Sequence, residues 1–311
     1  MVEILAPALG LSVGCALDRV LGEPRRCHPL AGFGRYAIWL ESCLRPAAAR
    51  PFVARACGVI ALLLAIAPFV LLAVWIQGLS YGWIADVVLL YFALGARSLG
   101  EHARAIAIPL LASDLPAARV ALARIVSRDT NELDTSGVAS ATVESVLENG
   151  NDAIFGALFW FAVLGGPGAL MFRLANTLDA MWGYRTPRFL HFGWAAARVD
   201  DVLNYLPARM TALSYALLGQ CRQALDCWRT QAPTWDSPNA GPVMATGAGA
   251  LGLRLGGPAR YHGQWEDRPP LGCGAQPGAA DIARAVRLVD GTQLMWCAVM
   301  LIALAIKGVH V

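Results

Sequence analysis

Long uncharged runs alternate with short arginine-rich blocks along this chain, and the run lengths set the first expectations. Ala56 to Ala85 is thirty residues without a charge, and VVLLYFALGA follows directly after Asp86. A span needs about 20 apolar residues, so this stretch predicts two crossings, near 56–76 and 79–96, joined by a tight turn. Ala153 to Phe172 is twenty uncharged residues with Gly165-Gly166-Pro167-Gly168 in the middle. That predicts a kinked span or a re-entrant pair of half-helices, because broken backbone at membrane depth is tolerated only against protein or water. Charge favours the re-entrant form: Arg173, Arg185, Arg188 and Arg198 follow, and a simple crossing would put them outside. Gly291 to Ile306, sixteen residues flanked by Lys307, predicts a short last span. Residues 4–17, interrupted by Pro7 and two glycines, read as a buried or interfacial helix. They do not read as a cleavable leader, since Glu3 stands where a basic region should be.

The fold class that follows is all-α: a multi-pass integral membrane helical protein, organised as a single membrane-embedded domain over 1–311. Its polar segments are 18–55, 97–152 and 173–290, and arginines place the first two on the cytoplasmic side. Composition agrees, with 57% hydrophobic residues, 15% charged and a mean hydropathy of +0.50. The basic residues are 24 arginines and Lys307. No Gly-Lys-Ser/Thr exists, which excludes a Walker phosphate loop, and a Schiff-base lysine has almost nowhere to sit. Nucleic acid is not an expected partner, because the net charge of +3 is spread through loops. The eight cysteines form no CxxC pair and the five histidines no HxxxH, so free core thiols and no zinc site are expected.

Acids are scarce and gather in two places. SRDTNELDTSGVASATVESVLENGND, Ser127 to Asp152, carries Glu144, Glu148 and Asp152 at four-residue spacing, hence on one helical face, with Thr135-Ser136 able to cap the helix. Residues 176–213 carry Asp179, Asp200, Asp201 and Asn204, with Asp200 or Asp201 at i, i+3/i+4 spacing to Asn204 and so on one face with it. Either set can supply oxygen ligands to Mg²⁺, which takes one or two carboxylates plus phosphate oxygens, and arginines 128, 173, 185 and 198 suit a phosphate. The plainer alternative is a solvated face with cap and arginine pairs. Acids bordering membrane segments weigh against it, because unpaired charge is costly there. His28 with Arg25, Arg26 and Arg35 can meet an anion, or the arginines can simply face lipid phosphates. Gly247, Gly249 and Gly252 satisfy G-x-G-x-x-G, but no βαβ rhythm surrounds them and a close-packed small-residue helix is the better reading.

SRDTNELDTSGVASATVESVLENGNDAIFGALFWFAVLGGPGAL, NTLDAMWGYRTPRFLHFGWAAARVDDVLNYLPARMTAL, SPNAGPVMATGAGALGLRLGGPARYHG and DRVLGEPRRCHPLAGFGR strongly resemble the CobD/CbiB family, the adenosylcobinamide-phosphate synthases of cobalamin biosynthesis. The likeness covers nearly the whole chain in order. Where many relatives have Ala-Glu-Asn before the spanning segment, this chain has Leu147-Glu148-Asn149. The resemblance implies a multi-pass inner-membrane ligase, its site facing the cytoplasm, that joins adenosylcobyric acid to (R)-1-amino-2-propanol or its O-phosphate by an amide bond. It implies ATP as co-substrate and Mg²⁺, no redox cofactor, and other late cobalamin-assembly membrane proteins as possible partners.

On that reading the expected catalytic residues are Glu144, Glu148, Asp200 and Asp201, with Glu144, Glu148 and Asp152 as Mg²⁺ ligands. Expected substrate or phosphate contacts are His28, Arg128, Asp129, Asn176, Asp179, Arg185, Arg198, Asn204, Ser237 and Asn239. Rival readings are an intramembrane Mg²⁺-dependent prenyltransferase, which lacks two clear aspartate-rich repeats here, and a corrinoid transporter or scaffold. A transporter should show an internal repeat and mid-span charges, and neither is found.

Overall fold

The apolar runs become helices because a chain in lipid must satisfy its backbone internally. The computed structural model describes residues 2–24, 28–46, 50–261 and 263–309, with side chains over 8–24, 28–46, 50–261 and 263–306. Arg25, Arg26 and the Lys307 side chain lie outside the described residues. In chain order the helices are α1 (Val2–Leu21), α2 (Pro29–Leu44), α3 (Pro51–Gln77), α4 (Gly82–Ala93), α5 (Ala96–Leu111), α6 (Leu115–Leu122) and α7 (Thr135–Gly150). After a π-turn at Asn151–Phe155 come α8 (Gly156–Trp182), α9 (Trp194–Leu218), α10 (Cys221–Gln231), α11 (Ala240–Leu251) and α12 (Ala279–Val309). Four short strands, β1 (Arg254–Gly256), β2 (Ala259–Tyr261), β3 (Gln264–Glu266) and β4 (Pro270–Gly272), form two antiparallel pairs, β1 with β4 and β2 with β3.

Four helical stretches are long and apolar enough to cross a membrane: Pro51–Gln77, Gly82–Leu111, Thr135–Trp182 and Ala279–Ile306. α3 is almost wholly apolar yet largely uncovered by protein, so Ile60, Leu63, Leu72 and Trp75 face outward. An apolar helix left uncovered by protein is built for a lipid solvent. The multi-pass helical membrane character expected from sequence is therefore what the chain has. The last apolar run is not short, because α12 starts twelve residues earlier, at Ala279.

Contacts gather the residues into two compact units, where the sequence suggested one domain. The first holds Met1–Gly95, Gly156–Asn204 and Cys297–Val311; the second holds Ala96–Phe155 and Tyr205–Trp296. In the first, α4 packs on α1 and α8, and α2 and α3 close around α8. Its core is small residues against large ones: Ala37, Ala61 and Ala65 meet Phe33, Leu178, Trp182 and Phe192. Gly165 (φ 69°, ψ −155°) interrupts α8, and the chain folds back there. A side chain at Gly156 would strike the Phe172 ring and one at Gly168 the Trp160 carbonyl, contacts that only two legs lying against each other can make. The break expected at Gly165–Gly168 is thus a fold-back of the two legs of α8. Its second leg is capped from outside, as Asp86 Oδ1 accepts from Gly166 N at 2.8 Å and from Gln77 Nε2 at 3.0 Å.

In the second unit α7 is surrounded by α5, α6, α11 and β1. Tyr215 Oη donates to Leu147 O (3.1 Å), Thr211 to Asn151 Oδ1 (3.0 Å), and Trp296 Nε1 to Ser214 Oγ (2.8 Å). The glycine-rich run expected to be a close-packed helix is one as far as Leu251, with Gly247 against Leu147 and Gly249 against the α10 backbone. Gly252 (φ 66°) then ends it in the left-handed conformation, and β1 begins.

Candidate functional site

α7 positions the acidic face. Asp134, rather than Thr135 or Ser136, caps it, accepting from Gly137 N at 2.7 Å. Glu144, 2% exposed, is met by two guanidinium groups: Arg128 Nη2 donates to its Oε2, and Arg268 Nη2 does so at 3.1 Å. Gly256 N of β1 (3.0 Å) and Ser140 Oγ (3.3 Å) complete its shell at Oε1. Burial works against the charge on Arg128, and the Glu144 carboxylate more than offsets it, holding the guanidinium above its usual range. Arg268 is further fixed by donating to Gly257 O (3.1 Å) and Tyr261 Oη (3.3 Å), 5.3 Å over the Trp235 ring.

These groups line a cavity of 390 Å³ together with Glu148, Ser145, Asn149, Asp236, Glu266 and Asp267. Glu148, one turn beyond Glu144, is half-buried, and among the described residues it accepts no hydrogen bond and makes no ion pair. The two glutamates thus differ: Glu144 is fully occupied by the fold, and Glu148 presents an uncommitted carboxylate beside two guanidinium groups.

Asp152 does not continue the stripe. The π-turn at Asn151–Phe155 shifts the helical register there, Asp152 Oδ1 accepts from Asn151 Nδ2 (3.0 Å), and the residue does not line the cavity. Among the described residues no three His, Cys, Asp or Glu side chains gather as a metal site, so Glu144, Glu148 and Asp152 do not form a ligand triad. Asp129 also lies off the cavity: its carboxylate accepts from Gly263 N (2.8 Å) and lies 3.8 Å from Arg260 Nε, tying down the β2–β3 turn. Ser237 Oγ accepts from Ala240 N (3.1 Å) at the start of α11, and Asn239 Oδ1 accepts from Arg209 Nη1 (2.6 Å). His28 caps α2, its Nδ1 accepting from Leu30 N at 3.1 Å, and packs edge-on to Phe92.

The second acid set assembles within the first unit. Asp200, 9% exposed, accepts from Asn176 Nδ2 (3.3 Å) and Asn204 Nδ2 (3.1 Å), and Asp201 pairs with Arg198 at 3.4 Å. Burial pushes Asp200 up to about 6, helped by the charge of Asp201 and opposed by the two amides. Burial also raises Asp201, against the pull of Arg198 and Arg185. Asp179, Asn176, Arg185 and Arg198 therefore keep company with Asp200, Asp201 and Asn204, while Arg128, Glu144 and Glu148 belong to the other unit.

Sequence reasoning missed Arg268, Trp235, Arg209 and the Gly256 amide. Arg268 stands 124 residues from Glu144 in a Gly/Pro-rich stretch, where no helical spacing could link them. Glu41 was missed as well; it is 3% exposed and receives Arg188 Nε (2.8 Å), Arg188 Nη2 (2.9 Å) and Arg45 Nε (2.9 Å).

Fold and site together define a class: a helical membrane protein with a polar cavity whose wall is a buried carboxylate clamped by two arginines. The family model described as CobD/Cbib protein matches residues 11–289, and this chain belongs to that family. A Chromobacterium violaceum protein named "Cobalamin biosynthesis protein CobD" is 59% identical over 305 residues, 97% of this chain and 98% of that one. Proteins of the same name from Stutzerimonas stutzeri (59% over 287 residues; 92% and 94%) and Mycobacterium tuberculosis (43% over 289 residues; 90% of each) are similar across nearly their whole length. No solved structure matches the chain.

Proposed function

We propose that this protein acts in cobalamin biosynthesis as an ATP-dependent ligase joining adenosylcobyric acid to (R)-1-amino-2-propanol or its O-phosphate. We place it in the cell inner membrane with the cavity toward the cytoplasm, as the arginine-rich loops favour. The family and its members' names support the pathway, and the cavity chemistry supports the reaction. The observation that carries it is the uncommitted Glu148 carboxylate beside Arg128 and Arg268 in a 390 Å³ cavity. Two fixed guanidinium groups suit phosphate oxygens and the charge that builds up in phosphoryl transfer. The donor set fits Mg²⁺, which needs only one or two carboxylates when phosphates fill the remaining positions, and Glu148 is the carboxylate available to hold it. When bound, the ion would neutralise phosphate charge.

In this reading the substrate carboxylate oxygen attacks the γ-phosphorus of ATP, releasing ADP and leaving an acyl phosphate. The amine then attacks the acyl carbon, phosphate departs, and one proton is lost from nitrogen. Arg128 and Arg268 orient the phosphate, and in this reading the Glu148 oxygen not engaged by the ion takes up that proton. Glu144 positions both arginines and touches no reacting atom.

The test is to incubate the purified protein with adenosylcobyric acid, aminopropanol or its phosphate, and Mg-ATP, following the amide product by mass and ADP by coupled assay. One ADP per amide is expected, with Glu148→Gln slower by about 10²–10⁴-fold at unchanged melting temperature. No amide from the folded wild type, or full activity in Glu148→Gln, overturns the proposal.

A further inference from the structure

Arg209 carries a charge that the surrounding fold fixes in place without cancelling. Its Nη1 donates to Tyr205 O (3.0 Å) and Asn239 Oδ1 (2.6 Å), its Nη2 to Pro238 O (2.9 Å), and its guanidinium carbon lies 3.6 Å from the Tyr205 ring centre. All these partners are neutral, and among the described residues no carboxylate lies within ion-pair distance. Asn239 is itself buried, 6% exposed, with its backbone N–H on Ser237 Oγ. A guanidinium has five N–H groups, so three spent on carbonyl oxygens leave two for a ligand. Arg128, Arg268 and Arg188, by contrast, are each paired with a carboxylate.

The guanidinium lines a cavity of 630 Å³ in the same unit, with Arg229, Trp228, Trp235, Pro233 and Pro242 among its walls. Arg229, in the last turn of α10, likewise has no carboxylate partner among the described residues. One acid, the exposed Asp236, lies on the wall that this cavity shares with the 390 Å³ cavity. Two cations facing one acid leave a net positive pocket with an indole and proline lining. A phosphate monoester brings a charge of about −1.5 to −2 and oxygens that accept from a guanidinium fork.

We propose that this second cavity is an anion site, in which Arg209 and Arg229 take the phosphate of a phosphate ester while Trp228, Trp235 and the prolines cover its organic body. The phosphate can come from a soluble ester or from a lipid, because Leu206, Met210, Leu213 and Leu217 are exposed on the same helix. The inference does not depend on the ligase reading, since binding requires neither turnover nor corrinoid.

The test uses the full chain in neutral detergent micelles, titrated calorimetrically with phenyl phosphate, and then in nanodiscs of phosphatidylcholine or phosphatidylglycerol. Single-site binding is expected, displaced by inorganic phosphate and weakened at least about tenfold by Arg209→Gln. Arg209→Lys keeps the charge and loses the fork, and serves if Arg209→Gln fails to fold; several-fold weakening is expected. Loss of phenyl phosphate binding in phosphatidylglycerol discs alone supports the site with a lipid phosphate as its ligand, and retained binding there supports it with a soluble ester. Equal affinity in wild type and both Arg209 variants, or no binding of phenyl phosphate in any setting, overturns the proposal whether or not the chain forms amides.

Discussion

Replacing Glu144 by Gln tests the charge arrangement on which the cavity depends. The substitution keeps the side-chain length and one acceptor oxygen, and removes the one carboxylate that makes an ion pair with both Arg128 and Arg268. Those side chains are only 11% and 14% exposed, so two guanidinium groups lose their directly paired carboxylate in a largely desolvated place and keep only the unpaired Glu148 nearby. Breaking a buried pair in this way costs about 3–5 kcal/mol; with the amide retaining some hydrogen bonds, we take the low end, about 3 kcal/mol. The segment that suffers is the strand flap made by β1, β2, β3 and β4, held to α7 through Gly256 N and Arg268. If flap opening is fast relative to cleavage, trypsin cuts after Arg254 and Arg260 in proportion to the open population, Arg268 being protected by the following Pro269, and about 3 kcal/mol raises that rate roughly 100-fold. The assay is limited proteolysis in micelles with fragment masses. Glu132→Gln is the control, since Glu132 is 71% exposed and its pair with Arg260 should change the rate less than about threefold. Cleavage of Glu144→Gln at the wild-type rate would show that Glu144 does not hold the flap, and the account of the site would fall.

The remaining predictions concern the first unit. Asp200, ordinarily near 3.8 and raised to about 6 by burial, binds its proton more readily folded than unfolded. Its contribution to stability is complete below about pH 4 and is lost as pH rises through 6, on the order of 3 kcal/mol. Denaturant unfolding should therefore show the wild type losing stability relative to Asp200→Asn between pH 4 and 6.5, and parallel curves would refute this. Gly165→Ala forces an L residue into φ 69°, ψ −155°, a region essentially reserved for glycine, at a cost of about 1–3 kcal/mol. A lower melting temperature is expected, and an unchanged one counts against the fold-back.

Much of this architecture was legible because membrane helices announce themselves by length and charge. The glycines and proline at 165–168 marked the break in α8, while a kinked span and a re-entrant pair both stayed open. The start of α6 follows equally local rules, since Asp114 accepts from Ala117 N at 3.0 Å with Pro116 in the first turn. What periodicity could not deliver was anything joining distant segments. Glu144 and Glu148 look equivalent at four-residue spacing, and only the arrival of Arg268 and Gly256 from more than a hundred residues away distinguishes a structural carboxylate from an uncommitted one. Asp152 was misplaced for a local reason, since a π-turn leaves no clear trace in composition. Ser237 and Asn239 were singled out as ligand contacts and instead hold a helix start and an arginine.

The cap that Asp86 places on the second leg of α8 has a consequence in time. Its backbone partner, Gly166 N, lies 80 residues further along the chain. At synthesis rates of about 5–20 residues per second, Asp86 emerges roughly 4–16 s before that amide exists. During this interval the carboxylate has Gln77 nearby but lacks the donor that later seals it, so α4 enters the membrane carrying an incompletely satisfied acid. Closure of this part of the first unit then waits on translation, with α4 packed on α1 and α3 until the fold-back at Gly165 brings Gly166 N to the Asp86 carboxylate.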